Sequence, residues 1–222
     1  YSLDTSSAFT DVDSGDSCTY SMSGAPGTLS IASDTGIITG TPVNANVGAH
    51  NVVVTCTDGS SAAVSDTYVL TVTNTNDAPT VANAIADAST NEDAAYSLSL
   101  ANVFTDVDTG DSCTYSMSGA PSTLSISSGT ISGTPINANV GTHTIVVTCT
   151  DGSSAAVSDS YDLTVVQVND GPTFTSSATT SATEDTAYAY IAITTDEEGQ
   201  AITLTGTTVP AWANFVDVGT GS

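Results

Sequence analysis

Asp-Val-Asp occurs twice in this chain, at Asp11 and Asp13 and again at Asp106 and Asp108. In an extended segment alternate side chains point the same way, so each pair can present both carboxylates to one ligand. Three more oxygen-rich motifs recur. They are the TNTNDAP and VQVNDGP stretches (Asn76 and Asp77; Asn169 and Asp170), the TDG turn (Asp58, Asp151) and the Glu of NED and TED (Glu92, Glu184). Hard cations such as Ca²⁺ take six to eight oxygens, mostly carboxylates and carbonyls. The same residues also form turns, because Asp and Asn side chains bond to nearby backbone, and NDAP makes a good linker without any metal. Residue types alone leave both readings open.

Charge sharpens the choice. The 222 residues include 24 Asp and Glu, two His and no Lys or Arg, for a formal charge of −24. No side-chain salt bridge to Lys or Arg can offset a carboxylate cluster here. Two like charges about 4 Å apart repel by about 4 kcal/mol at an effective dielectric of 20. A divalent ion would turn that repulsion into ordering. The missing cations also exclude a P-loop, a Schiff-base lysine, a counterion-releasing surface for nucleic acid and a basic face for anionic lipid. No apolar run reaches the roughly 18 residues of a membrane-spanning helix, so no direct membrane insertion is expected.

Cysteine chemistry follows the repetition of the chain. Cys18 and Cys56 lie in one copy of a repeated sequence and Cys113 and Cys149 in the next. Four Cys allow three connectivities, and pairing within each copy is favoured. The alternative is two small buried thiols per core. Disulfides would imply an oxidising compartment. CxxC spacing is absent, which argues against zinc. His50 and His143 occupy matched positions and read as packing residues. No GxSxG elbow accompanies them, and the same acids in every copy suit structure better than one active site, so no catalytic residue is assigned. Trp212, the single Trp, reads as core packing rather than a sugar platform.

The repeat must position these groups. FTDVDSGDSCTYSMSGAP from Phe9 returns as FTDVDTGDSCTYSMSGAP from Phe104, and TCTDGSSAAVSD returns 93 residues after Thr55. A third, divergent copy starts near Pro172, where DEEG replaces DVDxGD. The boundaries expected are 1–78, 79–171 and 172–222. Tyr1 aligns with Tyr96 and the last copy stops early, so an excerpt of a longer tandem array is expected. In TYVLTVT, Tyr68, Leu70 and Val72 alternate with Val69 and Thr71, and Asp162 replaces Val69 in the next copy. The Tyr/Leu/Val face is therefore the core and the other face is wet. Turn signals every 8–12 residues or so, in a unit of about seven strands, read as all-β, immunoglobulin-like sandwiches in tandem.

DVDxGDxxTYSxSG, TGxIxGTPxNAxVG, VTxTDGSSAAVSDxYxLTV and the NDxP linker together resemble cadherin-like repeats of the dystroglycan type. VPAWANF (Val209 to Phe215) is similar to a loop-to-strand motif of those repeats. The resemblance implies extracellular sandwich domains joined end to end, often in large microbial surface proteins, with Ca²⁺ bound between consecutive domains. One set implied is Asn76 and Asp77 with Asp106, Asp108 and Asp151; the other is Glu92, Asn169 and Asp170 with Asp196. There is no counterpart of the cadherin LDRE glutamate after TGIITG, and Asn74 or Gln167 stands where a linker Asp is usual.

The expectation is a structural segment of a secreted, calcium-stiffened stalk or filament serving adhesion or cell–cell contact. Its partners would be neighbouring repeats or copies of itself in a fibre, and cell-surface glycans or proteins. The alternative is a carbohydrate- or protein-binding accessory module of a larger secreted protein.

Overall fold

The alternation of β-branched and aromatic residues with Ser and Thr is realised as strands. The computed structural model describes residues 1–12 and 15–217, in which strands dominate and the only helical pieces are three short 3-10 turns. The chain is all-β, a tandem of immunoglobulin-like sandwiches. Among the described residues no helix is long and apolar enough to cross a membrane.

Packing divides the chain into two units. The first comprises Tyr1–Pro79 together with two loops, Asp106–Ser112 and Asp151–Ala155. Its strands are β1 (Ser2–Asp4), β2 (Thr19–Ser23), β3 (Leu29–Ile31), β4 (Ile37–Gly40), β5 (Gly48–Thr57) and β6 (Ala63–Val72). One sheet has the order β1-β4-β3, the other β2-β5-β6. β5 and β6 pair antiparallel from Gly48 opposite Val72 to Thr57 opposite Ala63. This register sends Val52, Val54 and Cys56 inward, against Leu29 and Ile38 of the other sheet. A one-residue slip would turn all three to water, so burial itself specifies the pairing.

The second unit comprises Thr80–Thr105, Cys113–Thr150 and the chain from Ala156 onward. Its strands are β7 (Thr80–Val81), β8 (Ala88–Asn91), β9 (Tyr96–Ser99), β10 (Phe104–Thr105), β11 (Thr114–Ser118), β12 (Leu124–Ser127), β13 (Thr130–Gly133), β14 (Gly141–Thr150), β15 (Ala156–Val166), β16 (Thr173–Phe174) and β17 (Thr194–Thr195). The main sheets run β11-β14-β15-β8 and β12-β13-β9, and two-stranded pairs join β10 with β7 and β16 with β17. β8 lies parallel to β15, with Ala88 opposite Leu163. Leu100, Leu124 and Ile131 meet Ile145, Val147, Tyr161 and Leu163 in one core. On β15, Tyr161, Leu163 and Val165 are buried while Asp162 is only half-buried, accepting a bond from the Thr144 hydroxyl at 2.7 Å. Burial and the Tyr96 hydroxyl hold the Tyr161 phenol well above the usual range.

Disulfides join Cys18 to Cys56 and Cys113 to Cys149, each with Cα atoms 5.1 Å apart. Tyr20 stands opposite Cys56, so the first bridge links the lead-in to β2 with the neighbouring strand of the same sheet. It therefore clamps the roots of the loops that carry Asp16 and Asp58 in the first unit. Cys113 and Cys149 hold the same two positions in the next copy.

Replacing Cys113 and Cys149 together by Ala should destabilise the protein by about 2–4 kcal/mol, the range for closing a loop of this size. Urea unfolding followed by tryptophan-independent circular dichroism measures it. An unchanged midpoint would show that the bridge adds nothing to a core already complete.

Candidate metal centres

In the first unit, β6 ends and the extended linker brings Asn76 and Asp77 against the two acidic loops. Asp106 Oδ1 accepts the Asp108 N–H at 2.8 Å, a local turn that holds the Asp-Val-Asp segment. Asp108, 5% exposed, accepts the Asp77 N–H on Oδ2 at 2.7 Å. Asp151 spends Oδ1 on its own turn, accepting from Ser153 and Ala155 at 2.9 and 2.8 Å, and its Oδ2 accepts from Asn76 Nδ2 at 2.9 Å. Carboxylate oxygens of Asp106, Asp111 and Asp151 lie within 4.8 Å of one another. Asp106 Oδ2 is buried with no hydrogen-bond partner. Loss of water, then the carboxylates of Asp106, Asp151 and Asp108, push the Asp111 carboxyl up. The Asn76 amide, followed by the backbone donors of its turn, outweighs desolvation and holds Asp151 below the usual range.

The second unit builds a related cluster from different residues. Glu92 follows β8 and is 2% exposed. Asp93 takes a left-handed φ of 57°, which Asp tolerates, and its N–H donates to the Pro135 carbonyl at 2.8 Å. That turn leaves the Glu92 side chain inside, where Oε1 accepts the Val168 N–H at 2.8 Å and Oε2 has no partner. The Asp170 N–H donates to Glu198 Oε2 at 3.2 Å. Asp170 Oδ2 and Glu198 Oε1 are likewise buried without a partner. Asp196 Oδ1 accepts the Gln200 N–H at 2.9 Å, and Gln200 Nε2 donates to Asn169 Oδ1. Partial burial, then Asp170, Asp93, Glu198 and Glu92, push the Glu197 carboxyl up.

A third group gathers carboxylate oxygens of Asp11, Asp16 and Asp58 within 4.8 Å. Asp58 Oδ1 is committed to its turn, accepting from Ser60 and Ala62 at 2.9 and 2.8 Å. Asp13 lies outside the described residues. Glu184 joins none of these clusters; it is exposed and lines a groove with Tyr188, Trp212 and Phe215.

The geometry brings Asn76, Asp77, Asp106, Asp108 and Asp151 together, and Glu92, Asn169, Asp170 and Asp196. It adds members that sequence reasoning did not name. Asp16 and Asp111 come from the second half of DVDxGD, a signal visible in the repeated string itself. Glu197 and Glu198 come from DEEG: the Asp170–Glu198 bond repeats the Asp77–Asp108 bond, so Glu198 stands in for Asp108 despite the changed motif. Asn44 and Asn137, from the NAN turns, also reach the clusters, with Asn44 Nδ2 donating to Asp77 Oδ2 at 2.7 Å and Asn137 Nδ2 to the Glu197 carbonyl at 2.8 Å.

A buried carboxylate oxygen without a donor costs free energy that native structures rarely leave uncompensated. Four such oxygens recur at these two clusters, in a chain without a cationic side chain. An all-oxygen, mostly carboxylate donor set with orphaned buried atoms fits a hard divalent cation.

The family described as "Putative Ig domain" matches residues 1–73 and 78–166. No curated protein matches the chain in sequence. Among solved structures, mouse Cadherin-23 EC22-24 aligns at 20% identity and a TM-score of 0.51, over 68% of this chain and 53% of that one. Human CDH23 EC21-23 aligns at 17% identity and a TM-score of 0.51, over 81% of this chain and 68% of that one. The endo-fucoidan hydrolase MfFcnA4_H294Q aligns at 22% identity with a TM-score of 0.37, over 69% of this chain. The chain spans about a quarter of that hydrolase and about half of the mouse cadherin fragment. The two cadherin likenesses show the fold.

The raised groups set a pH dependence. Asp111 and Glu197 hold protons more tightly folded than unfolded, so the stability they give is present below their ordinary values of 3.8 and 4.5 and is lost as pH rises through the raised ones. Asp151 acts oppositely, but its contribution is lost only as pH falls below 3.8. In EDTA the protein should therefore lose melting temperature as pH rises from the ordinary carboxylate range of 3.8 to 4.5 toward neutrality. A melting temperature that falls on acidification across that window would contradict the like-charge account.

Proposed function

The chain belongs to the putative Ig domain family, and from that premise we propose that it is a structural repeat segment of an extracellular stalk or filament serving adhesion or cell–cell contact, stiffened by Ca²⁺. Its repeats are 1–78, 79–171 and 172–222, of the dystroglycan-type cadherin-like kind. The observation that carries this reading is the set of buried, unpartnered carboxylate oxygens on Glu92, Asp106, Asp170 and Glu198. Asn76, Asp77, Asp106, Asp108, Asp111 and Asp151 would hold one group of ions. Glu92, Asn169, Asp170, Asp196, Glu197 and Glu198 would hold the other. Each set includes a linker stretch, so binding would order the backbone that connects one repeat to the next. Asp11, Asp13, Asp16 and Asp58 are the matching positions of the first repeat.

The remaining chemistry supports a mechanical role. Disulfides brace the first two repeats and suit an oxidising exterior. The −24 charge keeps such chains apart in solution and concentrates divalent counterions near them. Partners would be adjoining repeats or other copies of the chain.

A second reading rests on Trp212, which sequence alone reads as core packing but which is 71% exposed and meets the Tyr188 ring edge-on at 6.2 Å. Exposed aromatics stack on sugars, so these two could mark a glycan-binding accessory module. Glycan-array signal that disappears in Trp212→Ala would favour it; a blank array leaves the stalk as the function.

The stalk reading is checked by calorimetry and X-ray scattering on the same sample. Millimolar Ca²⁺ should raise the melting temperature and narrow the distribution of chain dimensions, and EDTA should reverse both. Identical melting and scattering with and without the ion would exclude a cation from the account.

A further inference from the structure

The two NAN turns, Asn44–Asn46 and Asn137–Asn139, are built alike. In the first, Asn46 Oδ1 accepts the Val43 N–H at 3.0 Å and the Thr28 hydroxyl at 2.9 Å. In the second, Asn139 Oδ1 accepts from Ile136 at 3.1 Å and from Thr123 at 3.0 Å. The backbone carbonyls of Asn46 and Asn139 each accept the Nε2–H of a half-buried His, His50 and His143, at 2.7 Å. Three bonds thus fix each turn to the sandwich, and they give the matched histidines a structural role. The leading Asn of each turn is left to point at acid. Asn44 Nδ2 donates to Asp77 Oδ2 at 2.7 Å and lies 3.5 Å from Asp108 Oδ1, one amide between two carboxylates. Asn137 Nδ2 holds the carbonyl of Glu197, next to Glu198, whose Oε1 is buried without a partner.

We propose that Asn44 is a two-state member of the first cation site, and that Asn137 positions the acidic turn of the second. This rests on the Ca²⁺ reading above. Without the ion, the Asn44 N–H group is a partial positive charge shared between the Asp77 and Asp108 carboxylates, in a chain with no Lys or Arg. With the ion, that donor is repelled. Rotation of the amide by half a turn puts Oδ1 in place of Nδ2 with nearly the same shape, converting a donor to carboxylates into a ligand for the cation. A carboxylate at this position would bind the ion as well but would add a third negative charge to the ion-free site.

Calcium titration calorimetry and melting in EDTA, on the full chain, test this with Asn44→Leu, Asn44→Asp and Asn137→Leu. Asn44→Leu should weaken Ca²⁺ binding about tenfold or more, the scale set by groups that tune a metal site, and should lower the EDTA melting temperature. Asn44→Asp should lower the EDTA melting temperature further yet bind Ca²⁺ at least as tightly as the unaltered chain. Asn137→Leu should weaken the second site alone. Should Asn44→Leu fail to fold, the opposite movement of melting and affinity in Asn44→Asp still decides. Wild-type affinity in Asn44→Leu, or weaker binding in Asn44→Asp, overturns the assignment while leaving the Ca²⁺ reading intact. An unaltered chain that takes up no Ca²⁺ overturns both.

Discussion

Carboxylates brought together with no cationic side chain to answer them are the constraint from which the rest of this structure follows. Carboxylate oxygens of Asp106, Asp111 and Asp151 lie within 4.8 Å of one another, as do those of Asp11, Asp16 and Asp58, while the whole chain carries no Lys and no Arg. Hydrogen bonds relieve part of the repulsion. Backbone N–H groups of Asp77, Ser153, Ala155 and Val168 reach Asp108, Asp151 and Glu92. Neutral amides of Asn44 and Asn76 reach Asp77 and Asp151. These donors are exhausted before the oxygens are, and the remainder stays buried and unpaired. An acidic site of this kind is unsatisfied by protein alone.

The sandwich exists to hold that arrangement. Long β5–β6 and β14–β15 hairpins carry the TDG turns at one end, and the disulfides sit where the strands enter and leave the acidic loops. Because the bridges lie within a sheet, they restrain loop roots more than they tie the two layers together. The layers are held by side chains such as Ile38 and Val52 in one unit and Ile131 and Ile145 in the other, all fully buried. Rigid roots keep like charges close; a floppy loop would let them drift apart into water.

Sequence is most informative where a residue type has one physical use. Strand alternation located the core faces, because a period of two cannot be reconciled with any other face. The repeat made the cysteine pairing legible, since matched copies carry matched pairs. The acids are less legible. Asp111 stands in the repeated string, but its role depends on a loop folding back, and the third copy lacks the DVDxGD string that marks the counterpart of Glu198. Asn44 and Asn137 carried no recognisable signal: an Asn in a turn is ordinary, and only its distance to Asp77 or to the Glu197 carbonyl gives it meaning.

By itself, then, the order of residues determined the all-β class, the repetition, the core faces and the surplus of negative charge, because each is a property of composition or local period. Only the tertiary structure decided which oxygens converge, which of them already have donors, and that Glu92, exposed by type, is sealed inside with one oxygen unpaired. Those facts depend on contacts between residues as much as 76 positions apart, as between Glu92 and Val168, and no local pattern encodes such a distance.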